Sequence, residues 1–157
     1  MIETPSPRQL LEGGRVAEAE RAYASVLEKD PANVEALNVL ALAALGTGAV
    51  PRAIGLLQQA ITAAPGDPTS HHHLGRAYES AANLAKAADE YGAAVRLEPV
   101  FFVARLQLAV CLERLGQAEQ AVVQYKRALD DAQGQGRWLN PATTPPQLRA
   151  AVSKCVV

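Results

Sequence analysis

PTSHHHLGRAYESAANLAKAADEYGAAVRLEPVF, residues 68–101, reads as a helix, a short turn and a second helix. Leu74, Gly75 and Tyr78 share one face of the first segment, and Ala87, Tyr91 and Ala94 share one face of the second. The three- and four-residue spacing is that of an amphipathic helix. Gly75 and Ala87 are small, so two helix backbones can approach closely there.

Outward from this stretch the pattern recurs at a fixed interval. Pro31, Pro65 and Pro99 stand 34 residues apart; Ala19, Ala53, Ala87 and Ala121 hold one register, and Tyr23, Leu57, Tyr91 and Tyr125 another. A period of this length marks a solenoid, in which one small unit is stacked repeatedly. Such a chain holds something more readily than it transforms it.

The unit before, residues 34–67, opens with an apolar run from Val34 to Leu45 and closes that helix at Gly46-Thr47-Gly48, where glycine tolerates a left-handed exit. Pro51 falls in the first turn of its second helix, where the missing N–H is harmless. The short turn forces an antiparallel hairpin. The unit after, residues 102–135, sets Leu108, Ala109 and Leu112 against Ala121, Tyr125 and Ala128, and Cys111 is a small buried position. Before Val34 lies a partial unit, residues 6–33. Ser6-Pro7-Arg8-Gln9 carries a capping box with proline at the first helical position, and Gly13-Gly14 ends that helix after about two turns.

Residues 1–136 are therefore expected to form one solenoid, followed by a capping segment, residues 137–157, that leads toward a downstream domain. Trp138 and Leu139 plug the end of the stack, and Thr144-Pro145-Pro146-Gln147 starts a last helix with Leu148, Ala151, Val152 and Cys155 as its stripe. The expected class is all-α, with about nine helices and no sheet.

Composition narrows the function. Sixteen acidic residues against fifteen basic leave a net charge of −1, so no basic field holds a phosphate backbone and nucleic acid is not an expected partner. Two cysteines, Cys111 and Cys155, form no CxxC pair. The N-terminus lacks the basic start and apolar run of a signal peptide, and Val39–Gly46 is far too short to cross a bilayer, which points to a cytoplasmic protein without membrane partners. There is no nucleophile and base at a motif spacing, no phosphate loop and no pair of acids, so the chain is not expected to be an enzyme or to need a cofactor. The run His71-His72-His73 is not expected to bind metal, because adjacent helical side chains diverge by about 100° and the i, i+4 spacing is what closes on one ion. His71 is expected in the hairpin core, with His72 and His73 nearer a binding surface and gaining charge near pH 6.

The repeat resembles the tetratricopeptide repeat, a 34-residue helix-turn-helix unit. Leu74-Gly75, Tyr78, Ala87, Tyr91, Ala94 and Pro99 follow its pattern, with His71 in place of the usual tryptophan and Ala82 in place of the usual glycine. Gly48, Ala53, Ala60 and Pro65 match in the preceding unit, where Leu57 replaces the aromatic; Gly116, Ala121, Tyr125 and Ala128 match in the following one. The resemblance implies a protein-protein interaction module that binds a peptide or protein segment along the concave face lined by each unit's first helix. Carried over position by position, that face holds Glu35, Asn38 and Leu42, then Thr69, His72, His73, Arg76, Glu79 and Ser80, then Val103, Leu106, Val110, Glu113 and Arg114. Arg76 is the expected anchor, since its fork grips a carboxylate directionally; the competing reading pairs it with Glu79 or Glu113. Chaperone C-terminal tails are disfavoured, because the lysine and asparagine clamp of the chaperone-binding members is absent.

The tail, Ala132 to Asn140 followed by Thr143-Thr144-Pro145-Pro146, is similar to the segment after the repeats in bacterial aspartyl/asparaginyl beta-hydroxylases. That resemblance implies the non-catalytic N-terminal region of an iron- and 2-oxoglutarate-dependent protein. A third reading is a self-assembly element that forms a homodimer through either end of the stack.

Overall fold

The computed structural model describes residues 5–134, which form eight helices and, within that span, no strand. In chain order they are α1 (Pro7–Glu12), α2 (Val16–Lys29), α3 (Val34–Gly46), α4 (Val50–Ala63), α5 (Pro68–Ser80), α6 (Leu84–Leu97), α7 (Phe102–Arg114) and α8 (Ala118–Gly134). The odd helices from α3 begin at residues 34, 68 and 102, and the even ones at 16, 50, 84 and 118, so both sets keep the 34-residue interval of the prolines. The ninth expected helix and the Trp138 and Leu139 plug lie outside the described residues.

Local chemistry sets these boundaries. Ser6 and Gln9 form the expected capping box, the Ser6 N–H donating to Gln9 Oε1 at 2.7 Å and the Gln9 N–H to Ser6 Oγ at 3.3 Å. Asn33 accepts from the Ala36 N–H, Asp67 from those of Thr69 and Ser70, and Asn83 from that of Lys86. The turn inside each helix pair needs one residue in the left-handed region. Gly14, Gly48 and Gly116 supply it with φ of 74°, 76° and 79°; Ala82, at the same register, adopts φ 58° in spite of its Cβ.

Each helix packs on the next along the chain, and α3 also touches α5. The alanines of the first register make this possible, Ala19, Ala53 and Ala87 being wholly buried. Core clusters follow the stack: Tyr23, Ala36 and Leu40 join α2 to α3, and Ala41, Ala44, Ala53, Leu57, Leu74 and Ala77 join α3, α4 and α5. Tyr91, Leu108, Cys111, Leu112 and Tyr125 belong to the cluster of α6, α7 and α8. Gly75 has a sharp reason to lack a side chain, since a Cβ there would sit 2.6 Å from the Tyr91 ring. Tyr91 is itself fully buried and has nowhere to retreat.

Candidate ligand groove

Because α3, α5 and α7 are the first helices of successive pairs, residues one period apart come up side by side. Between them lies a cavity of about 600 Å³ lined by Leu42, Leu45 and Gly46 of α3, Arg76, Glu79 and Ser80 of α5, and Gln107 of α7. Leu42, Arg76, Glu79 and Ser80 are residues that the sequence places on this face. Leu45 and Gln107 are additions. Both were within reach of the repeat, since Leu45 stands 34 residues before Glu79 and Gln107 stands 34 after His73.

The Arg76 side chain is exposed and makes no hydrogen bond or ion pair with any described residue, so the competing pairing with Glu79 or Glu113 is not formed. Glu79 is engaged elsewhere: Oε2 accepts from the Tyr91 hydroxyl at 2.7 Å and Oε1 from Arg114 Nη1 at 3.4 Å. Burial and this carboxylate together raise the Tyr91 phenol above its ordinary value. The same motif recurs at Tyr125 with Glu113, 3.1 Å, and at Tyr23 with Glu35, 2.8 Å. Burial, then the adjoining carboxylate, push both of these phenols up to about 12. Glu35 and Glu113, expected along the groove, therefore anchor tyrosines of the core.

Two further expectations are corrected. Asn38 and His72 are each 8 % exposed and are bonded inside the stack instead of standing open. Asn38 Nδ2 donates to Ser70 Oγ at 2.9 Å and lies 3.4 Å from Asp67 Oδ2. His72 Nε2 lies 2.6 Å from Gln107 Oε1, and its ring centroid is 4.9 Å from that of Phe101 and 5.8 Å from that of Tyr91. The two side chains occupy one register, and each reaches from its own helix to the next first helix. Burial raises the Asp67 carboxyl, yet the hydrogen bonds from Ser70, Thr69 and Asn38 outweigh it and leave the group below the usual carboxylate value.

The charge gain expected near pH 6 is also overturned. Burial lowers His72, only partly offset by its bond to Gln107, and it carries half-buried His73 down to about 4, with His72 and Arg76 adding to the effect. The His73 ring therefore stays neutral at pH 6. His71 stands at the hairpin seam instead of deep in the core: Nδ1 is 2.7 Å from Glu90 Oε2, and Nε2 is 3.3 Å from the Pro65 carbonyl. Thr69 and Val103 are exposed, and Leu106 and Val110 are half-buried against the cluster of α6, α7 and α8. Cys111 is wholly buried, which pushes its thiol up to about 11.

Among the described residues no group of three or more His, Cys, Asp or Glu side chains could hold a metal ion, and no helix is long and apolar enough to cross a membrane. The cavity is thus a half-apolar, half-polar recess with one uncompensated cation among the described residues.

Comparison with known proteins agrees with this architecture. A probable UDP-N-acetylglucosamine–peptide N-acetylglucosaminyltransferase, SPINDLY of Hordeum vulgare, is 28% identical over 123 residues, 74% of this chain; the chain spans only 13% of that protein. A MamA structure from Desulfovibrio magneticus RS-1, residues 41 to the end, matches with a TM-score of 0.73 and 22% identity, over 82% of this chain and 73% of that one. A mutant O-GlcNAc transferase of Thermobaculum terrenum matches with a TM-score of 0.70 and 27% identity, over 82% of this chain and 24% of that one. The tetratricopeptide repeat model matches residues 8–68 and 73–136, which cover most of the sequence. The chain belongs to the tetratricopeptide repeat family.

Proposed function

We propose that the protein is an interaction module that binds an extended or helical segment of another protein across the face formed by α3, α5 and α7. The observation that carries this reading is the recess of about 600 Å³ in which Arg76 stands exposed with no described partner, opposite Leu42 and Leu45. A guanidinium left unpaired beside aliphatic surface gives little to the fold and is well placed to grip a ligand. Gly46 leaves the wall open at the α3 end, where nothing would lie within 4 Å of a Cβ.

The test is a phage-displayed peptide library selected against the full chain. Selected peptides are expected to lose binding to the double variant Leu42→Ser, Arg76→Ala, with helical circular dichroism unchanged. Retention of binding by that variant would place the ligand on another face.

A second reading has one observation in its favour. The two transferase relatives are matched over only 13% and 24% of their lengths, so a repeat region of this kind can be a small part of a longer enzyme. On that reading the chain presents substrate to a catalytic neighbour, and the hydroxylase-like tail names one candidate neighbour. Reading the parent frame past Val157 and finding no catalytic domain would remove it. Dimerisation through the ends of the stack is a third role, and light scattering that gives a monomer at all concentrations would end it.

A further inference from the structure

We infer that the cleft between α6 and α8, floored by α7, is a second binding site that takes a tyrosine side chain of a partner polypeptide. It shares no lining residue with the recess of α3, α5 and α7 and stands independently of the reading above.

The molecule carries its own control for this cleft one period earlier. Between α4 and α6 the corresponding space is filled by the Tyr78 ring of α5. Gln58 Nε2 of α4 donates to the Tyr78 hydroxyl at 3.5 Å, and Lys86 Nζ of α6 stands 5.3 Å from the ring centroid. At a distance of 34 residues, Gln58 gives way to Gly92, Tyr78 to Leu112 and Lys86 to Gln120, and Ile54 gives way to Ala88. Every replacement is smaller, and a cavity of about 500 Å³ opens, with all four of these residues on its lining.

The resident ring is lost, yet the groups that would receive one are kept. Arg96 reaches back along α6, so that its Nη1 lies 3.3 Å from where a Cβ on Gly92 would stand, which is the root of the Gln58 side chain in the earlier unit. A nitrogen donor thus remains close to where Gln58 holds one for the Tyr78 hydroxyl. Asp89, in the place of Gly55, adds an acceptor to the same cavity. The side chains of Asp89, Arg96, Gln117 and Gln120 are exposed and have no hydrogen-bond or ion-pair partner among the described residues.

A phenol complements this set. An anionic group would meet Asp89 and a cationic one Arg96, so the fitting group is neutral and both donates and accepts, as a phenolic hydroxyl does. The ring covers Leu108, Leu112 and the exposed Leu115 of the floor. A cavity of this size exceeds one ring. The Gln117 and Gln120 amides, one turn apart on α8, can pair with the peptide groups on either side of the tyrosine. A second copy of the chain cannot supply that residue: of its four tyrosines, Tyr23, Tyr91 and Tyr125 are buried, and Tyr78 occupies its own cleft.

The experiment is an NMR titration of the 15N-labelled full chain with acetyl-Ser-Gly-Tyr-Gly-Ser-amide and with its Phe and Leu counterparts. Amide shifts are expected in α6, α7 and α8 with the Tyr peptide. The Phe peptide should bind about fivefold more weakly for want of the hydroxyl, and the Leu peptide more weakly still. Leu112→Tyr returns a resident ring to the floor and should abolish binding. The double variant Asp89→Ala, Arg96→Ala changes two exposed side chains, keeps the fold, and should remove the preference for Tyr over Phe.

Equal binding of the Tyr and Leu peptides would overturn the inference, as would a Tyr preference that survives the double variant or undiminished binding by a folded Leu112→Tyr. Shifts confined to α3, α5 and α7, or no shift at millimolar peptide, would overturn it and leave the groove reading intact. Movement of the cleft resonances in Trp138→Ser without peptide would assign the cleft to the chain's own tail and overturn it too.

Discussion

The helix pairs α3–α4 and α5–α6 share a backbone plan and differ in what fills it. Their residues align 34 apart, so each side chain in one has a counterpart in the other. In α3–α4 the seam is apolar: Leu37, Leu45, Leu56 and Leu57 stand where α5–α6 has His71, Glu79, Glu90 and Tyr91. In α5–α6 those four residues form two bonded pairs, His71 with Glu90 and Tyr91 with Glu79, each at 2.7 Å. Polar groups have thus entered the seam in couples, and none of the four is left without a partner. Size is coupled as well. Fully buried Ala41 shares its core cluster with Leu57, whereas its counterpart Gly75 leaves room for the larger ring of Tyr91. The lesson is that this scaffold tolerates either chemistry, provided the partners change together.

The largest effect should come from breaking a couple. Tyr91→Leu alone removes a fully buried ring and takes the hydroxyl donor from Glu79. A loss of about 3 kcal/mol in denaturant-measured stability is expected. Converting this couple and the glycine facing it to the α3–α4 form, with Gly75→Ala, Glu79→Leu and Tyr91→Leu together, should restore most of it. A triple variant no more stable than the single one would break the comparison.

Next is Gly75→Ala by itself, which forces a Cβ to within 2.6 Å of the Tyr91 ring. Overpacking of this kind is expected to lower stability by about 2 kcal/mol. Added to Tyr91→Leu, the same substitution should cost much less than it does alone, a coupling that a double-mutant cycle measures directly.

The pH response sharpens the contrast further, because His73 stands where α3 has Val39. Folded His73 stays neutral down to about 4, while the unfolded chain takes up the proton near the ordinary 6.5. Between those values the unfolded state binds more protons, so stability is fully present above 6.5 and falls as pH is lowered through the window. A tenfold difference in proton affinity between the two states corresponds to about 1.4 kcal/mol, and a half-buried ring should deliver roughly half of the full amount, about 1.5 kcal/mol. His73→Val should flatten the slope of melting temperature against pH between 6.5 and 4; an unchanged slope would assign it to other groups.

The smallest expected effect is at the turns. Ala82 adopts φ 58° where Gly48 adopts φ 76°. Ala82→Gly should stabilise by up to about 1 kcal/mol through relief of left-handed strain, part of it offset by the freer unfolded chain. Gly48→Ala should destabilise by about the same amount, since nothing lies within 4 Å of the added Cβ and only the backbone angle opposes it.

Much of the fold was legible because it is local. Ser6 with Gln9, the glycines that close three of the four turns and the inward Ala and Tyr registers follow from contacts within one helix pair, and each holds in the structure. On the face of α3, α5 and α7, Leu42, Arg76 and Glu79 line the recess, toward which helical register alone turns them. The reading failed for Asn38 and His72, which share that face and are nonetheless buried, because their fate depends on the facing helix. Ser70 lies 32 residues from Asn38, and Gln107 lies 35 from His72.

By itself, then, the sequence determined the period, the helix ends, the alternation of first and second helices and the side on which each residue stands. Those properties depend on spacing and on backbone preferences that act over a few residues. The tertiary structure decided which polar side chains on that side are tied up and which stand free. Asn38 is bonded to Ser70, His72 to Gln107 and Glu79 to Tyr91 and Arg114, while the Arg76 guanidinium is left without a hydrogen-bond or ion-pair partner among the described residues. The physical reason is that a buried polar group is satisfied by whatever donor or acceptor its neighbouring unit brings within about 3 Å, and the repeat specifies the approach of that unit but not the group it carries.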